Sequence, residues 1–152
     1  QTRIGGVEIH CLPSQHWSKR SLTDTNKVLW SSWAVIGNER RFYFAGDTGY
    51  FSGFSEIGKA LGPFHLAAVP IGAYEPTELM RLTHMNPEEA YQAALDVRAE
   101  TAVAMHFGTF DLADEPLDEP PKRFLNAAAA AGDPEASGPT PWVLSIGEMR
   151  SF

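Results

Sequence analysis

Three polar side chains that could bind a metal ion stand at or just after predicted strand ends. His16 follows the first strand, Asp47 follows the third, and His106 follows a later buried strand. Ligands of open α/β sheets bind outside strand ends, so this shared position is informative. Neutral imidazoles and a carboxylate suit a borderline metal such as zinc. Their long separations form no local zinc motif, and each residue alone also fits a structural or turn role.

The other histidines and the cysteine have less specific surroundings. His84 lies just before Asn86, a helix start whose backbone donors attract anions, so a phosphate-facing role stands beside that of a solvated loop histidine. His10 and His65 fit structural positions in a strand and after a turn. We expect Cys11 to face inward from its strand, and we assign it no role as a nucleophile.

The elements that position these residues alternate between strands and helices. Asn86, Pro87 and Glu89 form a strong helix start, with a cap, a first-turn proline and a capping box. The alternation after residue 50 predicts an α/β layered fold with a mixed sheet flanked by helices. Alternating or apolar runs predict strands over 7–12, 29–36, 41–45, 66–71, 101–105 and 142–146, helices over 54–61, 87–98 and 121–131, and a loop over 133–141.

Composition limits the classes of function. The chain has 152 residues and a formal net charge of −7, with 12 Lys and Arg against 19 Asp and Glu. This length suits a single domain, and the acidic balance argues against general binding to nucleic acids. One cysteine excludes an internal disulfide framework and fits a reducing compartment. The chain starts without Met or a signal peptide, so we expect it to belong to a longer or processed gene product.

Several short segments, in a fixed order from residue 7 to residue 150, carry a specific resemblance. Together they resemble the metallo-β-lactamase-fold family of N-acylphosphatidylethanolamine-hydrolysing phospholipase D. The segments are PSQHW at 13–17, NKVLW at 26–30, FAGDTGY at 44–50, PIGAYEP at 70–76, HMNPEEA at 84–90, HFGTF at 106–110, EPP at 119–121 and GEMR at 147–150.

The resemblance implies a role for each candidate residue. His16 is expected to bind one zinc ion, His106 a second one, and Asp47 to bridge the two as a catalytic carboxylate. His84 resembles a catalytic histidine that holds or polarises the phosphate and is not a primary metal ligand. The expected cofactor is therefore a pair of zinc ions.

One signature of the family is absent. No His-x-His-x-Asp-His motif occurs in the chain, although that motif supplies about half of the ligands in the family. The resemblance therefore implies that residues 1–152 are a single domain equivalent to the C-terminal half of an αββα sandwich. Because too few ligands remain, we expect weak zinc binding and little activity from this chain alone. We also expect an apolar sheet face that pairs with the missing half or with a second copy.

The implied activity of the parent protein is cleavage of the phosphodiester of N-acylphosphatidylethanolamine to N-acylethanolamine and phosphatidic acid. The same fold hosts many reactions, so hydrolysis of another small ester, lactone or phosphodiester stays open, as does a non-catalytic assembly fragment. Tyr74 and Glu75 are expected near the site without an assigned role. We expect a cytoplasmic protein that makes peripheral contact with the membrane holding its lipid.

Overall fold

The structure is a computed structural model and describes residues 1–132 and 138–152. Its described part contains a mixed sheet and helices in the α/β pattern that the sequence predicts. In chain order the elements are β1 (Thr2–Ile4), β2 (Val7–Leu12), β3 (Ser32–Ile36), β4 (Arg41–Phe44), α1 (Gly53–Leu61), β5 (Phe64–Pro70), α2 (Thr77–Met80), α3 (Pro87–Asp96), β6 (Ala99–Met105), α4 (Glu119–Ala130) and β7 (Thr140–Trp142).

The strands form one sheet whose spatial order follows the chain from β1 to β7. β1 to β4 pair antiparallel, and the predicted hairpin joins β3 to β4 with Val35 opposite Phe42. From β4 onward every pairing is parallel, because α1, α3 and α4 carry the chain back between successive strands. The carboxyl ends of β4, β5 and β6 therefore lie along one edge of the sheet.

The core lies between one face of the sheet and the helices. Alternate residues of the central strands point into it, as the period of two in a strand requires. The capping box at Asn86 and Glu89 starts α3, which packs against α1, α4, β5 and β6. The fully buried side chains that join the layers include Ala34, Tyr43, Ala67, Val69 and Ala102 from the sheet and Phe54, Ala90, Ala94 and Phe124 from the helices.

The second face of the sheet carries no helix among the described residues. Trp33 and Phe44 pair with each other there, and they are 40% and 39% exposed. The C-terminal segment reaches part of this face, where Phe152 approaches Phe42 with ring centroids 6.4 Å apart. Cys11 lies opposite Trp33 on the same face and is exposed, so its predicted inward orientation is wrong. In the part of the chain that the structure describes, helices lie on one side of this strand, and Cys11 faces the other side.

The elements agree with the predictions except at the margins of the sheet. The predicted strand 142–146 is wrong, because β7 ends at Trp142 and Ile146 is fully exposed. β7 pairs only with residues 101–103 of β6, so the residues after it have no ladder partner. Much of the predicted loop 133–141 lies outside the described residues. The sequence patterns did not predict β1 or the single turn α2. No described helix has the length and apolar character needed to cross a bilayer.

Candidate metal centre

The loop after β2 brings His16 to the carboxyl edge of the sheet. The backbone N–H of Gln15 donates to the buried hydroxyl of Thr48 at 2.8 Å, and Gly49 N–H donates to the Gln15 carbonyl at 2.8 Å. The Trp30 indole N–H also donates to the Ser14 carbonyl at 2.9 Å. These bonds hold the loop of His16 directly against the turn that follows β4.

That turn presents Asp47. Gly46 has φ +67°, and a Cβ there would lie 2.9 Å from the Ser31 carbonyl oxygen. Only glycine fits this combination without strain, so the chain can leave β4 and turn at once toward the site. Thr48 is fully buried behind the turn, whereas the Asp47 side chain stays 46% exposed and faces the edge of the sheet.

His106 meets Asp47 across this edge. It follows the last residue of β6, and its own φ of +59° redirects the chain. His106 Nε2 lies 3.5 Å from Asp47 Oδ2, which is long for a hydrogen bond and marks a weak charge contact. That contact holds the pKa of the Asp47 carboxyl below its usual range and raises the pKa of His106.

His84 lies between the other two imidazoles. Its ring centroid is 5.3 Å from that of His16, edge to face, and 5.4 Å from that of His106, nearly parallel. Burial is the largest cause that lowers the pKa of His84, to about 4, and the neighbouring imidazoles of His106 and His16 add to it. The ring is therefore neutral near pH 7. The structure thus gathers all four candidate side chains at one edge.

The donor atoms of this group fit a metal in kind but not in number. His16 Nδ1 lies 2.7 Å from the Trp17 carbonyl, which leaves Nε2 with its lone pair free, and Nε2 is buried with no partner. A backbone acceptor on the other ring nitrogen is the usual arrangement of a ligating histidine. His84 Nδ1 is also buried without a partner. Yet among the described residues no three His, Cys, Asp or Glu side chains are placed so that together they could hold one metal ion.

The remaining candidates have structural partners. The Tyr74 hydroxyl donates to Glu119 Oε1 at 2.7 Å, and its ring stacks under the Arg123 guanidinium, 4.7 Å away. Glu75 Oε2 accepts the Thr77 backbone N–H at 2.8 Å. Neither side chain contributes to the histidine group, although their loop lies beside it. The structural reading of two other histidines also holds, since His65 Nδ1 accepts the Arg41 N–H at 3.1 Å and His10 approaches Glu8.

The sequence patterns did not predict the residues whose hydrogen bonds hold the loops of the site together. Thr48 and Gln15 tie the loop of His16 to the turn of Asp47, and Gln15 Nε2 donates to the Leu82 carbonyl at 3.1 Å. Glu115 accepts the backbone N–H groups of Ala73 and Glu75 and so fixes the loop beside His106. The only sequence signal for Gln15 and Thr48 was that each is adjacent to a candidate ligand, His16 or Asp47. Such adjacency does not indicate which groups they hydrogen-bond.

Comparisons with known proteins give a consistent assignment. Residues 1–107 match the family model described as the beta-lactamase superfamily domain. The chain is 52% identical over 107 residues to an N-acyl-phosphatidylethanolamine-hydrolyzing phospholipase D of Caenorhabditis elegans, covering 70% of this chain and 30% of that protein. It is 40% identical over 128 residues to the mitochondrial phospholipase D of that name in Saccharomyces cerevisiae, covering 82% of this chain and 27% of the yeast protein. The chain thus spans less than a third of the length of these relatives.

Solved structures share the fold. Igni18, a metallo hydrolase of Ignicoccus hospitalis, superposes with a TM-score of 0.68 at 25% identity, covering 94% of this chain and 52% of its own. An isothiocyanate hydrolase from Delia radicum gut bacteria gives a TM-score of 0.69 at 16% identity, covering 100% of this chain and 56% of its own. The sheet with helices on one face therefore corresponds to about half of each of these structures.

Proposed function

The chain belongs to the beta-lactamase superfamily, and we propose that it supplies one half of the active site of a metal-dependent phosphodiesterase. The observation that carries the proposal is the convergence of His16, Asp47, His84 and His106 from four separate segments. A structural role for four such side chains would leave no reason for two buried imidazole nitrogens without hydrogen-bond partners.

In this proposal His16, Asp47 and His106 hold metal ions, and the ions are zinc. Their imidazole nitrogens and carboxylate oxygens match the ligand preference of zinc. When bound, the metal supplies Lewis acidity and makes water acidic enough to serve as a nucleophile near neutral pH. Because this chain brings too few donors together for one complete shell, the other ligands have to come from outside the described residues.

The chain's own residues then divide the remaining work. Contact with His106 lowers the pKa of Asp47, so Asp47 stays ionised. Its carboxylate can then hold the ring of His106 in place and orient the attacking water. His84 is neutral and buried, and its free ring nitrogen can donate a hydrogen bond to a phosphate oxygen between His16 and His106. Such a donor stabilises the charge that develops when water attacks phosphorus.

The substrate that we propose is N-acylphosphatidylethanolamine. Water adds to phosphorus, the bond from phosphorus to the ethanolamine oxygen breaks, and that oxygen takes up a proton. The products are phosphatidic acid and an N-acylethanolamine. The identity of 52% to a relative whose name states this hydrolysis supports the choice. Action on such a lipid implies peripheral contact with a membrane, and the proposed compartment is the cytoplasm, which fractionation tests.

The proposal also concerns the domain. Exposed Trp33 and Phe44 on the helix-free face of the sheet suit burial under a second layer, and structures with this fold are about twice as long as the matched segment. We therefore propose that residues 1–152 form the C-terminal half of an αββα sandwich. The half with the His-x-His-x-Asp-His motif, or a second copy, would cover that face.

The test uses the protein expressed from its complete gene, stripped of metal and then titrated with zinc. We expect release of N-acylethanolamine only after zinc is added. His106→Ala should lower both bound zinc and activity, whereas His10→Ala, a histidine outside the group, should change neither. If the zinc-loaded protein releases no N-acylethanolamine, the proposal that N-acylphosphatidylethanolamine is the substrate is refuted. Turnover of a lactone or of bis(4-nitrophenyl) phosphate in its place would favour a hydrolase of another small substrate.

A further inference from the structure

The segment that follows β5 is packed closely against the residues that lead to His106. The Ile71 N–H donates to the Met105 carbonyl at 3.0 Å, which extends the parallel pairing of β5 with β6. A Cβ on Gly72 would lie 2.3 Å from the His106 carbonyl oxygen, so the two backbones touch directly beside this candidate ligand. A displacement of Gly72 would therefore be passed on to His106.

The Gly72 peptide group also lies beside the His106 ring. Nε2 of that ring faces Asp47, so Nδ1 is the nitrogen left for a backbone partner. Contact with the Asp47 carboxylate is the largest cause that raises the pKa of His106, and contact with the Gly72 backbone adds to it. A backbone partner on the second ring nitrogen fixes the tautomer and orientation of a ligating histidine. The position of Gly72 therefore influences where Nε2 points.

A carboxylate from the loop between β6 and α4 holds this segment. Glu115 Oε2 accepts the Glu75 N–H at 3.0 Å, and its Oε1 accepts the Ala73 N–H. The Asp114 N–H donates to the Glu75 carbonyl at 3.2 Å, so the two backbones are joined as well. Hydrogen bonds to an ionised carboxylate are roughly twice as strong as those between neutral groups. Glu115 therefore restrains the chain immediately after Gly72.

The restrained backbone is strained at one residue. Ala73 has φ +64°, in the left-handed region that a residue with a Cβ rarely adopts. Such a conformation persists only where its surroundings impose it, and it is concentrated at functional sites. The bond from the Ala73 N–H to Glu115 is one such constraint. The next residue is anchored too, because Tyr74 is 2% exposed and its hydroxyl donates to Glu119 at 2.7 Å.

We propose that Glu115 is a positioning residue for His106. Its bonds to Ala73 and Glu75 hold Gly72 against His106, and Gly72 in turn aims the ring nitrogen Nε2 toward Asp47. In this role Glu115 acts through the backbone and contributes no ligand atom. The proposal rests on the proposed function, because it concerns the metal centre of the same site. Loss of one bond to Glu115 should weaken metal binding although every candidate ligand is still present.

The test uses the complete protein and the isosteric change Glu115→Gln. A glutamine amide has one acceptor oxygen, so its NH₂ group would face one of the two N–H donors. Glu148→Gln is the matched control, since Glu148 Oε2 also accepts a backbone N–H, that of Ser145 at 2.9 Å, in the C-terminal segment. Zinc affinity is measured by competition with a chelator. We expect it to fall by about tenfold or more in Glu115→Gln and to stay unchanged in Glu148→Gln.

Two further measurements separate positioning from a general loss of stability. At saturating cobalt(II), the visible absorption of the bound metal reports the geometry of its ligands. We expect Glu115→Gln to shift this spectrum, because every molecule then carries the metal in an altered site. In the metal-free protein, the amides of Ala73 and Glu75 should exchange slowly with solvent and lose this protection in Glu115→Gln.

Equal zinc affinities in the two variants, or an unshifted cobalt spectrum, would overturn the proposal. So would Ala73 and Glu75 amides that exchange in the unaltered protein as fast as those of exposed loops, a result that requires no variant to fold. The two proposals fail separately. A protein that cleaves no phosphodiester but loses zinc affinity in Glu115→Gln supports the positioning role and removes the phosphodiesterase. A protein that releases N-acylethanolamine with equal zinc affinities in both variants has the activity and refutes the positioning role.

Discussion

Replacing Gly72 by alanine tests whether the backbone between β5 and β6 sets the position of His106. Gly72 lies two residues after the end of β5, next to the end of β6. A Cβ on this residue would lie 2.3 Å from the His106 carbonyl oxygen and 3.2 Å from the Phe107 Cα. Both neighbours are backbone atoms, so no flexible side chain can move aside.

The magnitude follows from that overlap. Ordinary contacts of a Cβ begin near 3.4 Å, so the two segments would have to separate by roughly 1 Å. Overpacking of this kind costs about 1–3 kcal/mol, which lowers the Tm of a domain of this size by about 2–12 °C. Metal ligands tolerate displacements of only about 0.2 Å, so zinc affinity should fall by about tenfold or more.

The assay compares Gly72→Ala with Gly37→Ala in the complete protein. Gly37 lies in the β3–β4 turn, where an added Cβ would meet only the Arg40 carbonyl at 3.4 Å, so the change of residue type is the same without the overlap. Zinc affinity is measured by competition with a chelator, and stability by thermal unfolding. Equal zinc affinities for the two variants would refute the idea that this close approach positions His106.

Three further outcomes are expected. Asn86→Ala removes the capping box of α3 and should lower the free energy of unfolding by about 1 kcal/mol in urea titrations, whereas Asn86→Asp should keep it nearly unchanged; equal losses would contradict the cap. Burial raises the pKa of Tyr43 to about 12, and burial with Asp96 does the same for Tyr50, so the folded state keeps protons that the unfolded state loses. Stability should therefore fall as pH rises from about 10 to about 12, and less so in Tyr43→Phe; a fall of equal size in both would contradict this assignment. Residues 1–152 expressed alone should self-associate in sedimentation experiments through the face of Trp33, and Trp33→Lys should reduce this; a monomer at high concentration would refute it.

Sequence reasoning located the candidate ligands because strand ends are readable from periodicity. His16, Asp47 and His106 each follow a run whose pattern predicts a strand, and the order of those strands brings their ends to one edge. The position of His84 between His16 and His106 was not readable in this way. It depends on the turn at α2 and on how α3 packs, and α2 carries no apolar pattern that predicts it.

The errors concern which surfaces are covered. An alternating strand predicts two faces but does not say which face meets helices, so Cys11 was assigned to the wrong one. The apolar run after Trp142 resembles a strand, yet the pairing of β7 with β6 ends at Val103. Both cases require knowledge of the neighbouring layer. A sequence pattern describes one segment, whereas burial depends on the segments around it.

The hydrogen bonds around Gln15 explain how the site can be organised by protein contacts alone. Its backbone bonds to Thr48 and Gly49, and its side chain bonds to Leu82, so one residue links the segments that carry His16, Asp47 and His84. These bonds involve no donor atom that a metal would use. The entropic cost of ordering the loops is therefore met during folding, so the metal of the proposed site would bind to groups already near their places. In that proposal the incomplete set of ligands limits metal affinity, whereas this chain alone arranges the candidate ligands that it carries.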